Sequence, residues 1–260
     1  MKNLTNRIPN IFKQAGLFIV ILVIFGFSLQ KLEYATVISL AVASLVSYLV
    51  FERKRWSIGL IKNRLIYDFL KGLLGGSLAL IVIFTMIYFF GGHKITGITF
   101  NTKAILIWTV TCLIVALSEE IFVRGYIYGL LKYKFGEIAS SIVSSGLFAA
   151  FHLTRPGVGL IAIVTLFFAG LLYSYMREKS GAIWLPVGFH FAWNFTSGIL
   201  GIWRDEMILF KTDLSQNHLI HGGVYGIEGS LITSLFYFML TVIVCIQILR
   251  GVELRIQIKR

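Results

Sequence analysis

Residues 117–131 read LSEEIFVRGYIYGLL. Two adjacent glutamates and an arginine stand in the middle of an apolar run. Near the centre of a membrane helix each such charge costs about 2.5–3.5 kcal/mol on insertion scales. How the run is read therefore decides the fold, and composition decides the reading. The 260 residues are 57% hydrophobic and 14% charged, with a mean hydropathy of +0.82. Soluble domains sit near about 45–50% apolar and about 25% charged. This chain has to bury apolar surface in lipid as well as in protein. Its apolar runs recur from end to end without a Pro-, Ser- or charge-rich linker. The expectation is one integral membrane domain over residues 1–260, an all-α polytopic transmembrane bundle.

A span needs about 20 apolar residues. Eight candidates stand out: Gln14–Gln30, Tyr34–Phe51, Gly72–Gly92, Ala104–Leu131, Ile138–His152, Val158–Met176, Gly181–Ile202 and Gly229–Leu249. No small-x-small cleavage site follows the basic N-terminus, so the first run is read as a retained helix. With eight spans the termini share a side. That side receives Lys2, Arg7 and Lys13, the cluster Arg53–Arg55 with Lys62, Arg64 and Lys71, then Arg124, Lys132 and Lys134. It also receives Arg177, Lys179, Arg250, Arg255, Lys259 and Arg260. The other side holds Lys31, Lys94, Lys103, Arg155, Arg204 and Lys211. By the positive-inside rule both termini are cytoplasmic and the protein is a multi-pass protein of the cell membrane.

The net charge of +12 then needs no nucleic-acid partner, because its residues serve as topology signals and contacts for anionic lipid headgroups. The stretch 51–64 reads as a short interfacial helix with Trp56 at headgroup level. Cys112 and Cys245 lie in apolar runs and read as small buried hydrophobes. His218 and His221 read as part of a solvated outer loop from Arg204 to Glu228.

Depth brings the polar residues together. At 1.5 Å per residue, Glu119 lies about 19 Å from Lys132, and His152 about 21 Å from Ile138. His190 and Asn194 lie about 14 and 20 Å from Gly181. All four fall at overlapping depths inside the membrane. Glu120 and Arg124 are an i,i+4 pair in the favoured order, so the arginine neutralises Glu120. Glu119 is turned about 100° away and is left without a local partner. His190 and Asn194 share a face, as do Phe148 and His152. Taken singly, each histidine reads as a helix–helix hydrogen-bonding residue, Asn194 as interhelical glue, and Glu120 with Arg124 as structural. An unpaired intramembrane acid instead points to function. A carboxylate and an imidazole together take a proton from water, while a second imidazole or an amide holds an oxyanion. That equipment hydrolyses an amide.

At these residues the chain resembles the CPBP family of CAAX-prenyl and bacteriocin-processing (Abi) intramembrane proteases. The family pattern of EExxxR, FxxxH and HxxxN stands here as EEIFVR (119–124), FAAFH (148–152) and HFAWN (190–194). The resemblance defines a protease-like core over about 104–202. It implies Glu119 as the base activating water, His152 as its assistant, and His190 and Asn194 as oxyanion donors. Glu120, Arg124 and Phe148 would support the site.

Family labels often say metalloprotease, and Glu119, His152 and His190 could supply three ligands to a divalent metal such as zinc. HExxH is absent, and the residues are equally consistent with no cofactor; the reading leans to metal-independent water activation. The expected partner is a peptide or lipidated-protein substrate, prenylated or a bacteriocin or pheromone leader. Two alternatives compete: a non-catalytic bacteriocin-immunity or scaffold protein, and a proton-coupled transporter.

Overall fold

The computed structural model describes residues 7–29, 31, 34–201 and 209–258. Gln30 and Ile202, which end two of the expected spans, lie outside the described residues, as do Lys2, Arg204, Lys259 and Arg260. Every expected run forms a helix. In chain order these are α1 (Arg7–Ser28), α2 (Ala35–Ser47, continued by a π-helical turn Tyr48–Glu52) and α3 (Leu65–Phe89). Next come α4 (Thr102–Glu120) and α5 (Tyr128–Phe135), joined by a π-helical segment Ile121–Ile127. They are followed by α6 (Glu137–Ala150), α7 (Leu160–Ser180), α8 (Trp184–Ile199), the short α9 (His218–His221) and α10 (Leu231–Ile258). Among the described residues, five helices are long and apolar enough to cross a membrane: Ala35–Glu52, Lys62–Phe89, Thr102–Phe135, Leu160–Ser180 and Leu231–Ile248. Two apolar helices, Lys13–Ser28 and Glu137–Ala150, are shorter.

The α-only expectation needs one correction. His93–Ile98 (β1) and Phe210–Leu214 (β2) pair antiparallel, with a bulge between Ile95 and Gly97. The β-branched residues of KITGIT, set between Gly91–Gly92 and the Asn101 helix cap, suit a pleated edge better than a helix. A second correction concerns residues 51–64, which are not an interfacial helix. Beyond Glu52 the chain turns and runs irregularly to a single 3-10 turn, Lys62–Arg64. Trp56 folds inward, donates its indole N–H to Glu52 (2.9 Å) and packs on Tyr48.

Helix α8 is the axis of the bundle. It lies against α3 with no side chain between the backbones. A Cβ on Gly72 would strike the carbonyl of Leu185, and one on Gly188 would strike that of Phe69. Small residues allow this close approach where lipid offers no hydrophobic drive for helix association. Around it Leu80, Ile83, Phe148, Leu166, Tyr173, Phe189, Trp193 and Tyr237 form one buried cluster.

The two ends of the bundle differ. At one end the 57–61 segment is tied to the α7–α8 turn: Arg177 donates to Ser57 O (2.9 Å), Ile183 N–H to Gly59 O (3.0 Å) and Trp184 to Ile61 O (2.9 Å). At the other end lie the two-stranded β1–β2 sheet, the 151–159 turn and the 215–230 segment. There Thr212 donates to Leu200 O (3.0 Å), and Gly157 packs on Val224 and Tyr225.

Candidate active site

Three elements deliver the motif residues to one place. Glu119 and Glu120 close α4, His152 stands in the turn after α6, and His190 and Asn194 sit one turn apart on α8. Helix α6 stops at Ala150, before Pro156, so His152 is carried by the turn and not by the helix expected to reach it. Glu119, His152, His190 and Asn194 all line a cavity of about 340 Å³. Phe148, Trp193, Tyr225 and Glu228 share its wall.

Beneath the cavity lies a sealed polar layer. Glu120 and Arg124 are completely buried and paired, Nη1 to Oε1 at 3.1 Å. This is the i,i+4 pair that the spacing predicts. The guanidinium also donates to Gly170 O (3.3 Å) and lies over the rings of Phe148 and Tyr173, 4.4 and 5.1 Å from their centres. Each contact offsets the desolvation of a buried cation. The same Oε1 of Glu120 accepts a hydrogen bond from Nδ1 of His190 at 3.1 Å. Glu120 thus orients the histidine as well as neutralising the arginine, a link that spacing within one helix does not reveal.

Ring orientation follows from these bonds. With Nδ1–H of His190 on Glu120, its Nε2 is turned to Glu119, 3.9 Å from Oε2. His152 donates Nδ1–H to Phe148 O at 2.8 Å, which leaves its Nε2 as the unprotonated nitrogen. Phe148 meets both imidazoles edge to face, at 4.9 and 6.0 Å between ring centres. The FxxxH spacing therefore provides a ring that separates and steadies two histidines.

Glu119 departs from its expected isolation. Arg155, three residues beyond His152, brings Nη2 to 3.9 Å from Oε1. That distance is beyond hydrogen-bond reach, and the arginine side chain is 38% exposed against 11% for Glu119. The carboxylate is balanced from the cavity mouth without being locked. Tyr126 and Tyr128 do not line the cavity: Tyr126 accepts from Gln14 (2.7 Å) and Tyr128 donates to Glu178 (2.8 Å).

Among the described residues no three His, Cys, Asp or Glu side chains are grouped to hold one ion. Nδ1 of His152 is held by Phe148 O and Nδ1 of His190 by Glu120, while Nε2 of His190 lies 3.9 Å from Glu119. Cys112 lines the cavity, whereas Cys245 is exposed. Two residues on the cavity wall, Arg155 and Glu228, carry no motif spacing. The one signal for Glu228 is an acid in a glycine-rich stretch, GGVYGIEGS (222–230), directly before an apolar run.

Residues 101–196 match a protein-family model described as type II CAAX prenyl endopeptidase Rce1-like. The matched segment contains all three motifs and agrees with the resemblance they carry. It stops before β2, Glu228 and α10. The search of curated proteins returned no match.

Proposed function

We propose, on the premise that residues 101–196 are an Rce1-like endopeptidase segment, that the protein is an intramembrane endopeptidase. The observation that carries the reading is the convergence of Glu119, His152, His190 and Asn194 on one cavity. Glu119 takes a proton from a water in the cavity, assisted by Nε2 of His152. The water oxygen adds to the substrate carbonyl carbon, and the carbonyl electrons move onto oxygen. His190, held between Glu120 and Glu119, offers Nε2–H to that oxyanion. The Asn194 amide is the second donor. Preorganised donors of this kind are worth about 10²–10³ in rate each. Glu120 and Arg124 position His190 and do not touch substrate.

The substrate is a membrane-associated peptide or lipidated protein, and the bundle is a single integral membrane domain of eight spans in the cell membrane. The basic end, with Arg53–Arg55, Lys62, Lys132, Lys134, Arg177 and Lys179, is cytoplasmic together with both termini. The cavity is sealed on that side by Glu120 and Arg124, and its half-buried wall, Arg155 and Tyr225, belongs to the opposite end. Substrate therefore enters from the extracytoplasmic side or from the outer leaflet.

The test is cleavage of membrane peptides by purified protein in liposomes, beside Glu119→Gln and His152→Ala. Loss of at least about 10²-fold in both variants is expected. Equal cleavage by all three forms contradicts the proposal.

A further inference from the structure

Glu228 belongs to no motif and lies outside the family-matched segment, yet the residue forms part of the cavity wall. It sits on a single 3-10 turn, Ile227–Gly229, between α9 and α10. The turn is tightly specified. Gly222 and Gly226 have φ of 97° and 96°, values that side-chain-bearing residues rarely adopt. A Cβ on Gly222 would also overlap the Gly226 carbonyl. This construction pushes the acid inward until its residue is only 7% exposed.

The two carboxyl oxygens have different surroundings. Oε1 accepts the indole N–H of Trp193 at 2.9 Å. Trp193 precedes Asn194 on α8 and is braced by Tyr237, 5.1 Å between ring centres. Glu228 therefore hangs from the helix that presents His190 and Asn194. Oε2 is buried and makes no hydrogen bond. Among the described residues Glu228 has no salt bridge within 4 Å, unlike Glu119 and Glu120. A carboxyl buried without an ion pair favours its neutral form. An indole N–H only donates, so Oε1 must be an acceptor and the proton belongs on Oε2, the free oxygen. Around the group stand Arg155 from the 151–159 turn, His190 from α8, Tyr173 from α7, Tyr225 from its own segment and Tyr237 from α10. Burial raises the Glu228 carboxyl above the usual carboxylate range; the Trp193 bond, its own backbone N–H and the charges on Arg155 and His190 oppose this only in part.

Resting on the peptidase reading, we propose that Glu228 is a catalytic residue: the general acid that protonates the leaving amine. When the tetrahedral intermediate collapses, the C–N bond breaks and its electron pair stays on nitrogen. The Oε2–H bond supplies the proton. Water's hydroxyl ends on the new carboxyl group, its proton is held on Glu119, and Glu228 is left as a carboxylate. Transfer of the Glu119 proton to Glu228 through cavity water resets the site. The two acids are thus separated into a base, balanced by Arg155, and an acid kept neutral by burial.

The experiment uses full-length protein in liposomes and the internally quenched peptide that it cleaves fastest from a random library. Glu228→Gln preserves the acceptor for Trp193 and removes only the transferable proton. The expected result is a kcat lower by about 10²-fold or more with KM nearly unchanged, and loss of the alkaline limb of the kcat/KM profile. An ester analogue of the same peptide, whose leaving group needs less protonation, should lose less than the amide. A Glu228→Gln enzyme with wild-type kcat and an intact alkaline limb overturns the proposal and leaves Glu228 as a brace for Trp193. Glu119→Gln on the same peptide separates the two levels: if cleavage survives that change, the Glu119 mechanism on which this proposal rests fails.

Discussion

Glu120 is the residue on which two requirements meet. Its single oxygen Oε1 takes both the Arg124 guanidinium and Nδ1 of His190. Removing Arg124 would leave a buried charge without its partner, which costs about 3–5 kcal/mol where it has been measured. Arg124→Ala is therefore expected to lower unfolding stability in detergent by that amount. A change within about 0.5 kcal/mol would contradict the buried pair. The i,i+4 order makes the Glu120–Arg124 contact legible in the sequence. Glu119 was legible as the odd carboxylate but not as a partner of Arg155, because that contact joins the end of α4 to the turn after α6. Spacing within a helix carries no information about the neighbouring element.

At the scale of elements, the helices over the expected runs follow from apolar run length alone. Their exact ends do not, because capping and Pro156 decide them locally. The α3–α8 crossing depends on glycines that look unremarkable in a run of apolar residues. Gly188→Leu drives a side chain into the Phe69 carbonyl. Overpacking of this kind costs about 1–3 kcal/mol; the expected outcome is lower thermal stability and an activity loss, since α8 carries His190 and Asn194. Unchanged stability and cleavage would show that the two backbones do not meet there.

The β1–β2 pair was hidden because its strands are far apart in sequence and each is short. It brings a pH dependence of its own. His93 is buried against Phe84, 4.1 Å between ring centres. Burial first, and His221 second, hold its imidazole down at about 4. A base depressed below its ordinary 6.5 takes up its proton in the unfolded strand pair before the folded one. Stability of the strand pair is therefore full above about 6.5 and falls as pH drops towards 4. Hydrogen exchange across residues 93–98, corrected for intrinsic rates, should show protection lost between pH 7 and 5 in the wild type and retained in His93→Phe. Equal loss in both would assign the effect elsewhere.

For the whole molecule, the sequence carried the motif residues and the charge asymmetry, while the structure added that those residues line one cavity, together with Arg155 and Tyr225. Val224, 70% exposed on the 215–230 segment, reports their end of the bundle. In a cysteine-free background, Val224→Cys in intact cells should react with a membrane-impermeant maleimide. Lys54→Cys should react only after permeabilisation. The reverse pattern would turn the cavity towards the cytoplasm. Glu228 escaped the sequence for a related reason: a lone acid in a loop acquires meaning only when the chain folds it against Trp193.

The most direct measurement takes one sample with two readouts: wild-type and Glu119→Gln protein, each crosslinked to the same cleavable peptide in liposomes and scored for bound peptide and for product. The account predicts equal capture by both, with cleavage by the wild type alone. Product from the Glu119→Gln protein, at a rate near the wild type, would contradict it.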